Sequence, residues 1–184
     1  KAYKDDVAPE EGSPYRPLYD GDIKFNGQPV ALVVAEDFET ATYAASLVKV
    51  EYDEQPQVTD FQQQLGHAVA LPAPAKPRGD AAKAFADSQI KHQADYSVPI
   101  EHHNPMELFA STAVWQDGKL TVYDKTQGVQ NVQRYLCGVF EAEPDDIRVM
   151  SPYMGGGFGS GLRPQYQVVL AVLGARALKR SVRL

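Results

Sequence analysis

The chain has 184 residues, of which 43% are hydrophobic and 23% are charged, and its formal net charge is −6 at pH 7. This length suits one domain, or two small ones, with a buried core. Lys and Arg are scattered through an acidic chain, which excludes the basic patch of a nucleic-acid-binding protein. No stretch approaches the ~20 apolar residues of a membrane-spanning helix. The single cysteine, Cys137, excludes an internal disulfide framework and a cysteine-built metal or iron–sulfur site in this sequence.

The two ends of the sequence are unlike those of a complete domain. Residues 1–20 are rich in proline, tyrosine and charge, which predicts an extended arm. The chain starts without methionine, and residues 181–184 have the pattern of a strand that is just beginning. We therefore expect the sequence to be a fragment of a longer polypeptide.

The first predicted unit is a β-α-β arrangement. Residues 29–35 are a continuous apolar run, which predicts a strand buried on both faces. Asp37 is a helix N-cap candidate, and apolar residues recur with helical spacing between residues 41 and 48. Alternation over residues 48–52 then predicts a half-exposed strand.

A domain boundary is predicted in the proline-rich segment over residues 71–80, because proline favours an extended, semi-rigid chain. We expect one domain over residues 1–70, a linker over 71–89 and a second domain over 90–184. The alternating pattern of residues 90–98 predicts the first strand of that second domain.

The second half of the chain is predicted to begin with a hairpin. Residues 108–115 and 120–125 read as two strands around Asp117-Gly118, a pair typical of tight hairpin turns. Three further elements follow: a helix over residues 129–140, a strand over 147–150 and a buried helix over 168–177.

Five glycines surround Phe158 in residues 151–162, between that strand and the last helix. Glycines allow positive φ and a close approach of the backbone to a ligand, and successive free N–H groups attract anions. The dinucleotide fingerprint Gly-x-Gly-x-x-Gly does not match, because its last glycine would be Ser160 when it starts at Gly155 and Leu162 when it starts at Gly157. A P-loop needs a lysine after its second glycine, but Leu162 and Arg163 follow Gly161. The loop predicts contact with a phosphate or another electron-rich group; a tight turn without a ligand is the alternative.

Further motifs resemble those of the molybdenum hydroxylases, the family of xanthine dehydrogenase and aldehyde oxidase. Residues 28–36, 41–45 and 50–56 resemble its α/β hammerhead domain. Residues 102–107, 126–128 and 155–159 resemble successive motifs of the family's molybdopterin-binding subunit. Residues 160–165 are most similar to the bacterial aldehyde-oxidising branch of the family. The resemblance implies an α+β fold: the end of a hammerhead domain, then the first part of a molybdenum-cofactor domain with a mixed sheet and packed helices.

The resemblance also implies an activity. Family members hydroxylate aldehydes or N-heterocycles with water as the oxygen source. Their cofactor is molybdenum–molybdopterin, in bacteria usually the cytosine dinucleotide form, and electrons pass to partner subunits that carry iron–sulfur centres and FAD. The family's catalytic glutamate is expected beyond Leu184, so this segment alone should not turn over substrate.

The family's site residues map onto the glutamine and glycine motifs. Gln127 matches a catalytic glutamine whose amide donates a hydrogen bond to an oxygen ligand of molybdenum; a strand-end glutamine bonded to backbone is the alternative. Gly156, Gly157 and Gly159 match the cofactor-binding loop. Phe158 matches a cofactor-loop and catalytic residue that packs against the substrate, although it could instead anchor the loop in the core.

Leu162 matches a substrate-pocket position. Purine-oxidising members carry a glutamate there, which leucine cannot replace as a hydrogen-bonding group, so aldehydes, including aromatic ones, are favoured over purines. His102, His103 and Glu107 are interpreted as hydrogen-bonded structural residues and not as metal ligands, because adjacent residues of a strand point to opposite faces. Many relatives read Met-Glu-Pro-His where this chain has Met-Glu-Leu-Phe109, which weakens a functional role for the second half of that motif.

Two other functions remain as hypotheses. The chain could be a non-catalytic scaffold or subunit-interaction module that kept the fold, but such a protein would need neither Gln127 nor the intact glycine run. A phosphate- or nucleotide-binding protein unrelated to molybdenum is disfavoured by the failed glycine fingerprints.

Overall fold

The computed structural model describes residues 15–70, 76 and 78–184. Two compact units are present: residues 15–48 together with 101–184, and residues 49–100. No helix among the described residues has the length and apolar character that crossing a membrane requires.

Residues 15–48 contain one helix, α1 (Phe38–Ser46). The predicted cap is confirmed, since Oδ1 of Asp37 accepts a hydrogen bond from the Thr40 N–H at 2.7 Å. Such a bond satisfies one of the N–H groups that the first turn of a helix leaves unpaired.

The unit over residues 49–100 contains only short helices: α2 (Phe61–Gln64), a 3₁₀ turn (Leu65–His67) and α3 (Ala81–Asp87). Aspartates at positions 60 and 80 cap the two α-helices. None of the described residues of this unit is buried.

The predicted hairpin is confirmed as β1 (Ser111–Gln116) and β2 (Lys119–Asp124), an antiparallel pair. Asp117 and Gly118 both have positive φ, at 50° and 79°. Positive φ at both central residues matches the twist of a two-residue hairpin turn to that of its strands.

The remaining elements complete one sheet. Helix α4 (Val129–Phe140) and strand β3 (Ile147–Met150) have the bounds that the sequence predicted, with a 3₁₀ turn (Pro144–Asp146) between them. Helix α5 (Tyr166–Leu178) and strand β4 (Val182–Arg183) follow. The strand order is β3-β2-β1-β4, and only the β2–β3 pair is parallel. This mixed sheet with helices confirms the predicted α+β class.

The core lies between one face of this sheet and helices α4 and α5. Its strand residues alternate, so every second side chain of a strand lies on the helix side. The buried members are Ala113, Leu120, Val122, Val132, Tyr135, Leu136, Val139, Phe140, Ile147, Val168, Val169, Ala171, Val172, Ala175 and Val182.

Three predicted strands are wrong, over residues 29–35, 48–52 and 90–98, because none is paired in a sheet. Residues 29–35 are not buried on both faces; instead, Leu32 Cδ2 lies 3.4 Å from the position that a Cβ would take at Gly174 of α5. A strand needs a neighbour for its N–H and C=O groups, and the described part of the chain offers these segments no such neighbour.

The predicted arm and linker fall partly outside the described residues, at positions 1–14, 71–75 and 77. Residues 15–20 do not form an extended arm, since they contain turns, and the Arg16 guanidinium lies 4.9 Å from the centroid of the Tyr135 ring. Helix α3 lies within the predicted linker over residues 71–89.

Candidate functional site

The parallel pairing of β2 with β3 places two sequence motifs at one edge of the sheet. Tyr123 opposes Met150, so both strands end at the same level. Residues 125–128 leave the end of β2, and the glycine loop leaves the end of β3. The carboxyl ends of neighbouring parallel strands form the usual ligand-binding crevice of open sheets.

Gln127 contacts the glycine loop through both its backbone and its side chain. Its main-chain N–H donates to the Gly161 carbonyl at 3.0 Å. Its Oε1 lies 3.4 Å and 3.3 Å from the positions that a Cβ would take at Gly157 and Gly161. The side chain is exposed and, within the described residues, hydrogen-bonds to no backbone group. A Cβ at position 157 or 161 would lie even closer to Met154 Cε, at 3.3 Å and 2.7 Å, so glycine at both positions accommodates Met154 as well as Gln127.

Internal hydrogen bonds hold the loop in one conformation. The Ser160 N–H and hydroxyl both donate to the Gly157 carbonyl, at 2.8 Å and 2.6 Å. Gln165 Nε2 donates to the Ser160 carbonyl at 2.8 Å, which ties the loop to the start of α5. Phe158 and Gly159 have positive φ, at 49° and 100°. Positive φ costs a non-glycine residue about 1–2 kcal/mol, so these bonds maintain a conformation that the chain alone disfavours.

The main-chain N–H groups of Gly156, Gly157, Phe158 and Gly159 are open in the sense that they donate no hydrogen bond within the described residues; Gly157 is buried and the other three residues are exposed. Across residues 15–70, 76 and 78–184, no acceptor is within hydrogen-bonding reach of these four groups. Successive main-chain N–H groups in a turn can bind anions and other electron-rich groups.

Two buried polar atoms, one at the start of the loop and one shortly after it in the sequence, also lack a partner among the described residues. One is Oγ of Ser151, directly after β3, and the other is Nε2 of Gln167, in the first turn of α5. Leaving such an atom unpaired costs about 1–3 kcal/mol, and unpaired buried groups in a folded protein therefore need an explanation.

Phe158 and Leu162 present apolar side chains to solvent. Phe158 is 76% exposed and Leu162 is 57% exposed. The alternative in which Phe158 anchors the loop in the core is therefore wrong. The Phe158 ring instead folds over the loop, with Cε2 3.1 Å from the position that a Cβ would take at Gly156.

Glu107 holds the start of the glycine loop. Its carboxylate Oε2 accepts a hydrogen bond from the Gly155 N–H at 2.5 Å. This confirms the structural role predicted for Glu107, but its partner could not be read from the sequence, since the two residues are 48 positions apart. His103 also approaches the loop, with Nε2 3.4 Å from the Cβ position of Gly159.

Lys125 is a buried cation beneath this contact, and sequence analysis did not single it out. It is 5% exposed, its ammonium donates to the main-chain carbonyl of Glu107, and it lies 4.3 Å from the centroid of the Phe109 ring. Buried lysines are rare and need such partners. In the sequence, the only indication that Lys125 is buried is its position at the end of an apolar strand.

Asp124 is a buried carboxyl one residue before Lys125. Burial raises the pKa of Asp124 above its usual range, and the hydrogen bonds that it accepts from the Ser111 hydroxyl, at 2.6 Å, and from the Lys125 backbone oppose that rise. The described side chains form no group of three or more His, Cys, Asp or Glu residues that could hold a metal.

Sequence models of two domains match this chain. The molybdopterin cofactor-binding domain matches residues 61–184, and the a/b hammerhead domain of aldehyde oxidase and xanthine dehydrogenase matches residues 2–56.

Individual relatives are similar over most of the chain. The aldehyde oxidoreductase molybdenum-binding subunit PaoC of Escherichia coli is 38% identical over 164 residues, which are 88% of this chain and 22% of that protein. The putative xanthine dehydrogenase molybdenum-binding subunit XdhA of Escherichia coli is 29% identical over 154 residues, 79% of this chain and 20% of that protein.

The crystal structure of quinoline 2-oxidoreductase from Pseudomonas putida 86 superposes with a TM-score of 0.68 and 30% identity, covering 81% of this chain and 20% of that one. The chain thus spans about a fifth of the length of these relatives. From the two domain matches and these relatives, the chain belongs to the molybdenum-binding subunits of the xanthine dehydrogenase and aldehyde oxidoreductase family.

Proposed function

We propose that this chain forms one wall of the active site of a molybdenum hydroxylase that oxidises aldehydes or N-heterocycles with water as the oxygen source. The observation that carries the proposal is the contact between Gln127 and the glycine loop at the shared edge of β2 and β3. The names of two relatives, an aldehyde oxidoreductase and a quinoline oxidoreductase, are consistent with those two substrate classes.

The residues at this edge fit a molybdopterin cofactor. The pterin and phosphate groups of such a cofactor would need hydrogen-bond donors, and the four open N–H groups of residues 156–159 would supply them. The unpaired Ser151 Oγ and Gln167 Nε2 are further polar atoms, at the start of the loop and shortly after it in the sequence. The bound cofactor would supply the two-electron oxidation, and the protein would supply orientation and electrostatics.

Gln127 would donate a hydrogen bond to the cofactor from its side-chain Nε2. This atom has no acceptor within the part of the chain that the structure describes. A neutral amide suits the role because it donates without titrating. The main-chain bond to Gly161 holds Gln127 next to the loop, with its side-chain Oε1 3.4 Å from the Cβ position of Gly157, which places the amide at the same edge as the open N–H groups.

Phe158 and Leu162 would form the apolar part of the substrate pocket. Neither side chain has a hydrogen-bonding group, so neither can compensate the polar ring atoms of a purine for lost water. Both can contact an aromatic ring. The proposal therefore favours aldehydes, including aromatic ones, over purines.

The whole enzyme would use further components. We propose the cytosine dinucleotide form of the cofactor, and partner subunits that carry iron–sulfur centres and FAD. Within this chain, we propose a hammerhead domain over residues 1–70, a connection over 71–89 and a cofactor-binding domain over 90–184. The relatives named as molybdenum-binding subunits support an assembly of several chains.

The test compares two exposed glutamines in the full-length protein, produced with its partner subunits and cofactor maturation. Gln127→Ala is expected to lower kcat for benzaldehyde by about a hundredfold, the typical effect of removing one preorganised donor. Gln130→Ala, on the exposed side of α4, is the matched control and should leave kcat unchanged. Steady-state kinetics and elemental analysis of molybdenum are the measurements.

Three results would contradict the proposal. A matured wild-type protein without molybdenum would leave a non-catalytic scaffold as the better explanation. Equal kinetics of the Gln127→Ala and Gln130→Ala variants would remove Gln127 from the site. Turnover of xanthine at a rate comparable with benzaldehyde would contradict the apolar pocket.

A further inference from the structure

Glu107 is the side chain outside the glycine loop that binds the loop's first N–H group. Its Oε2 accepts from Gly155 at 2.5 Å, directly before the four open N–H groups of residues 156–159. A carboxylate that accepts from a main-chain N–H makes a charge-assisted bond, about twice as strong as a neutral one. Glu107 therefore fixes the N–H group that directly precedes the open N–H groups of residues 156–159.

The packing between Glu107 and Gly155 leaves no room for a Cβ at position 155 unless Glu107 shifts. A Cβ there would lie 2.6 Å from Oε2 and 3.0 Å from Cβ of Glu107. The second distance matters more, because a Cβ atom next to the backbone cannot rotate away as the end of a side chain can. The first glycine of the run thus accommodates Glu107, whereas Gly157 and Gly161 accommodate Met154 and Gln127.

The backbone of Glu107 is itself held by a hydrogen bond from Lys125. The buried ammonium of Lys125 donates to its main-chain carbonyl and packs on the Phe109 ring. Lys125 lies only two residues before Gln127. Residues that extend from the end of β2 thus contact the glycine loop by two routes, directly through Gln127 and indirectly through Lys125 and Glu107.

We propose that Glu107 is a positioning residue: its carboxylate sets the conformation in which the glycine loop presents its open N–H groups to the cofactor. The proposal rests on the cofactor-binding function given above. It assigns a role to the motif Met106-Glu-Leu-Phe109 even though this chain lacks the proline and histidine that many relatives have there. What the loop requires is an acceptor oxygen at this place, and the charge of the carboxylate strengthens the bond.

Two conservative variants of the full-length protein separate placement from charge. Glu107→Gln keeps an acceptor oxygen at the same distance and removes the charge. Glu107→Asp keeps the charge and withdraws the oxygens by one methylene. Glu101→Asp, at an exposed position of the same segment, is the control for shortening a glutamate.

Hydrogen–deuterium exchange of peptides that cover residues 155–161 is the main measurement. Glu107→Asp is expected to speed exchange of the Gly155 amide by about tenfold, the effect of losing a hydrogen bond to a charged group, whereas the N–H groups of residues 156–159 donate no hydrogen bond that could be lost. Glu107→Gln should remain within about threefold of wild type, since it retains the acceptor. Exchange in the hairpin over residues 111–124, and the exchange of Glu101→Asp, should not change. Molybdenum content should fall in the aspartate variant and persist in the glutamine variant.

The proposal is overturned if Glu107→Asp exchanges like wild type in the loop, if both variants accelerate exchange equally, or if exchange rises equally throughout the sheet. Faster loop exchange with unchanged molybdenum content would overturn the link to the cofactor. A wild-type protein without molybdenum would refute the proposed function, while the exchange measurements would still decide whether Glu107 holds the loop.

Discussion

Two regions of this chain carry similar apolar patterns and have different structures. In residues 111–184, alternating strands pair in register and Val122 is completely buried. In residues 49–100, Val98 belongs to an alternating run of the same kind and is 82% exposed. Alternation indicates which face of a strand could be buried, but burial also needs a neighbouring strand and a layer to cover that face. Strand pairing, and not the apolar pattern of the sequence, therefore distinguishes the two regions.

The largest expected difference in the free energy of unfolding is between two isoleucine-to-alanine substitutions, one in each region. Ile147→Ala removes a side chain that is 1% exposed in the core and should lower the free energy of unfolding by about 2–5 kcal/mol. Ile90→Ala removes one that is 91% exposed and should change it by less than about 0.5 kcal/mol. Urea unfolding of the full-length protein measures both. Similar losses at the two positions would show that residues 90–98 are buried in solution.

Two glycine-to-alanine substitutions, one in each region, should give a difference in stability of intermediate size. Gly159→Ala forces a Cβ onto a residue with φ of +100° and should cost about 1–2 kcal/mol. Gly66→Ala, in the other region, has open space around it and an ordinary φ, so it should be neutral or stabilise slightly. Thermal unfolding distinguishes them. A neutral Gly159→Ala would mean that the loop relaxes easily, in which case its backbone does not hold a defined conformation.

The smallest effect concerns pH and a pair of aspartates. The raised pKa of Asp124 means that the folded state binds the proton more tightly than the unfolded state. The wild type should therefore lose stability, relative to Asp124→Asn, as the pH rises from the ordinary Asp range through the raised pKa. Asp95→Asn, at an exposed position of the other region, is the control. The opposite slope in urea midpoints measured across that range would contradict a carboxyl destabilised by burial.

The local elements of residues 108–184 were predictable because each is encoded by a short-range signal. The turn pair Asp117-Gly118 specified the hairpin, and helical spacing specified α4 with its bounds. The strands predicted over residues 29–35 and 90–98 failed, because an apolar run cannot itself supply a partner strand.

The candidate site was predictable to a different extent. Resemblance to a family pointed to Gln127 and to the glycine loop, and the parallel pairing of β2 with β3 explains why they meet. Glu107 and Lys125 could not be assigned a partner in advance, because contacts between residues distant in the chain depend on how the segments fold together.

By itself, the sequence determined the α+β class, the helices and strands of residues 111–184, the family and the glycine loop. The helices, strands and loop follow from periodicity and turn residues, which are properties of neighbouring positions, whereas the class and the family follow from the resemblance of the motifs. Only the tertiary structure decided that Phe158 is exposed, that Gln127 packs against Gly157 and Gly161, and that Glu107 binds Gly155. The two contacts join segments far apart in the chain, and the exposure of a side chain depends on which segments cover it, so all three depend on strand pairing and packing and not on any local pattern.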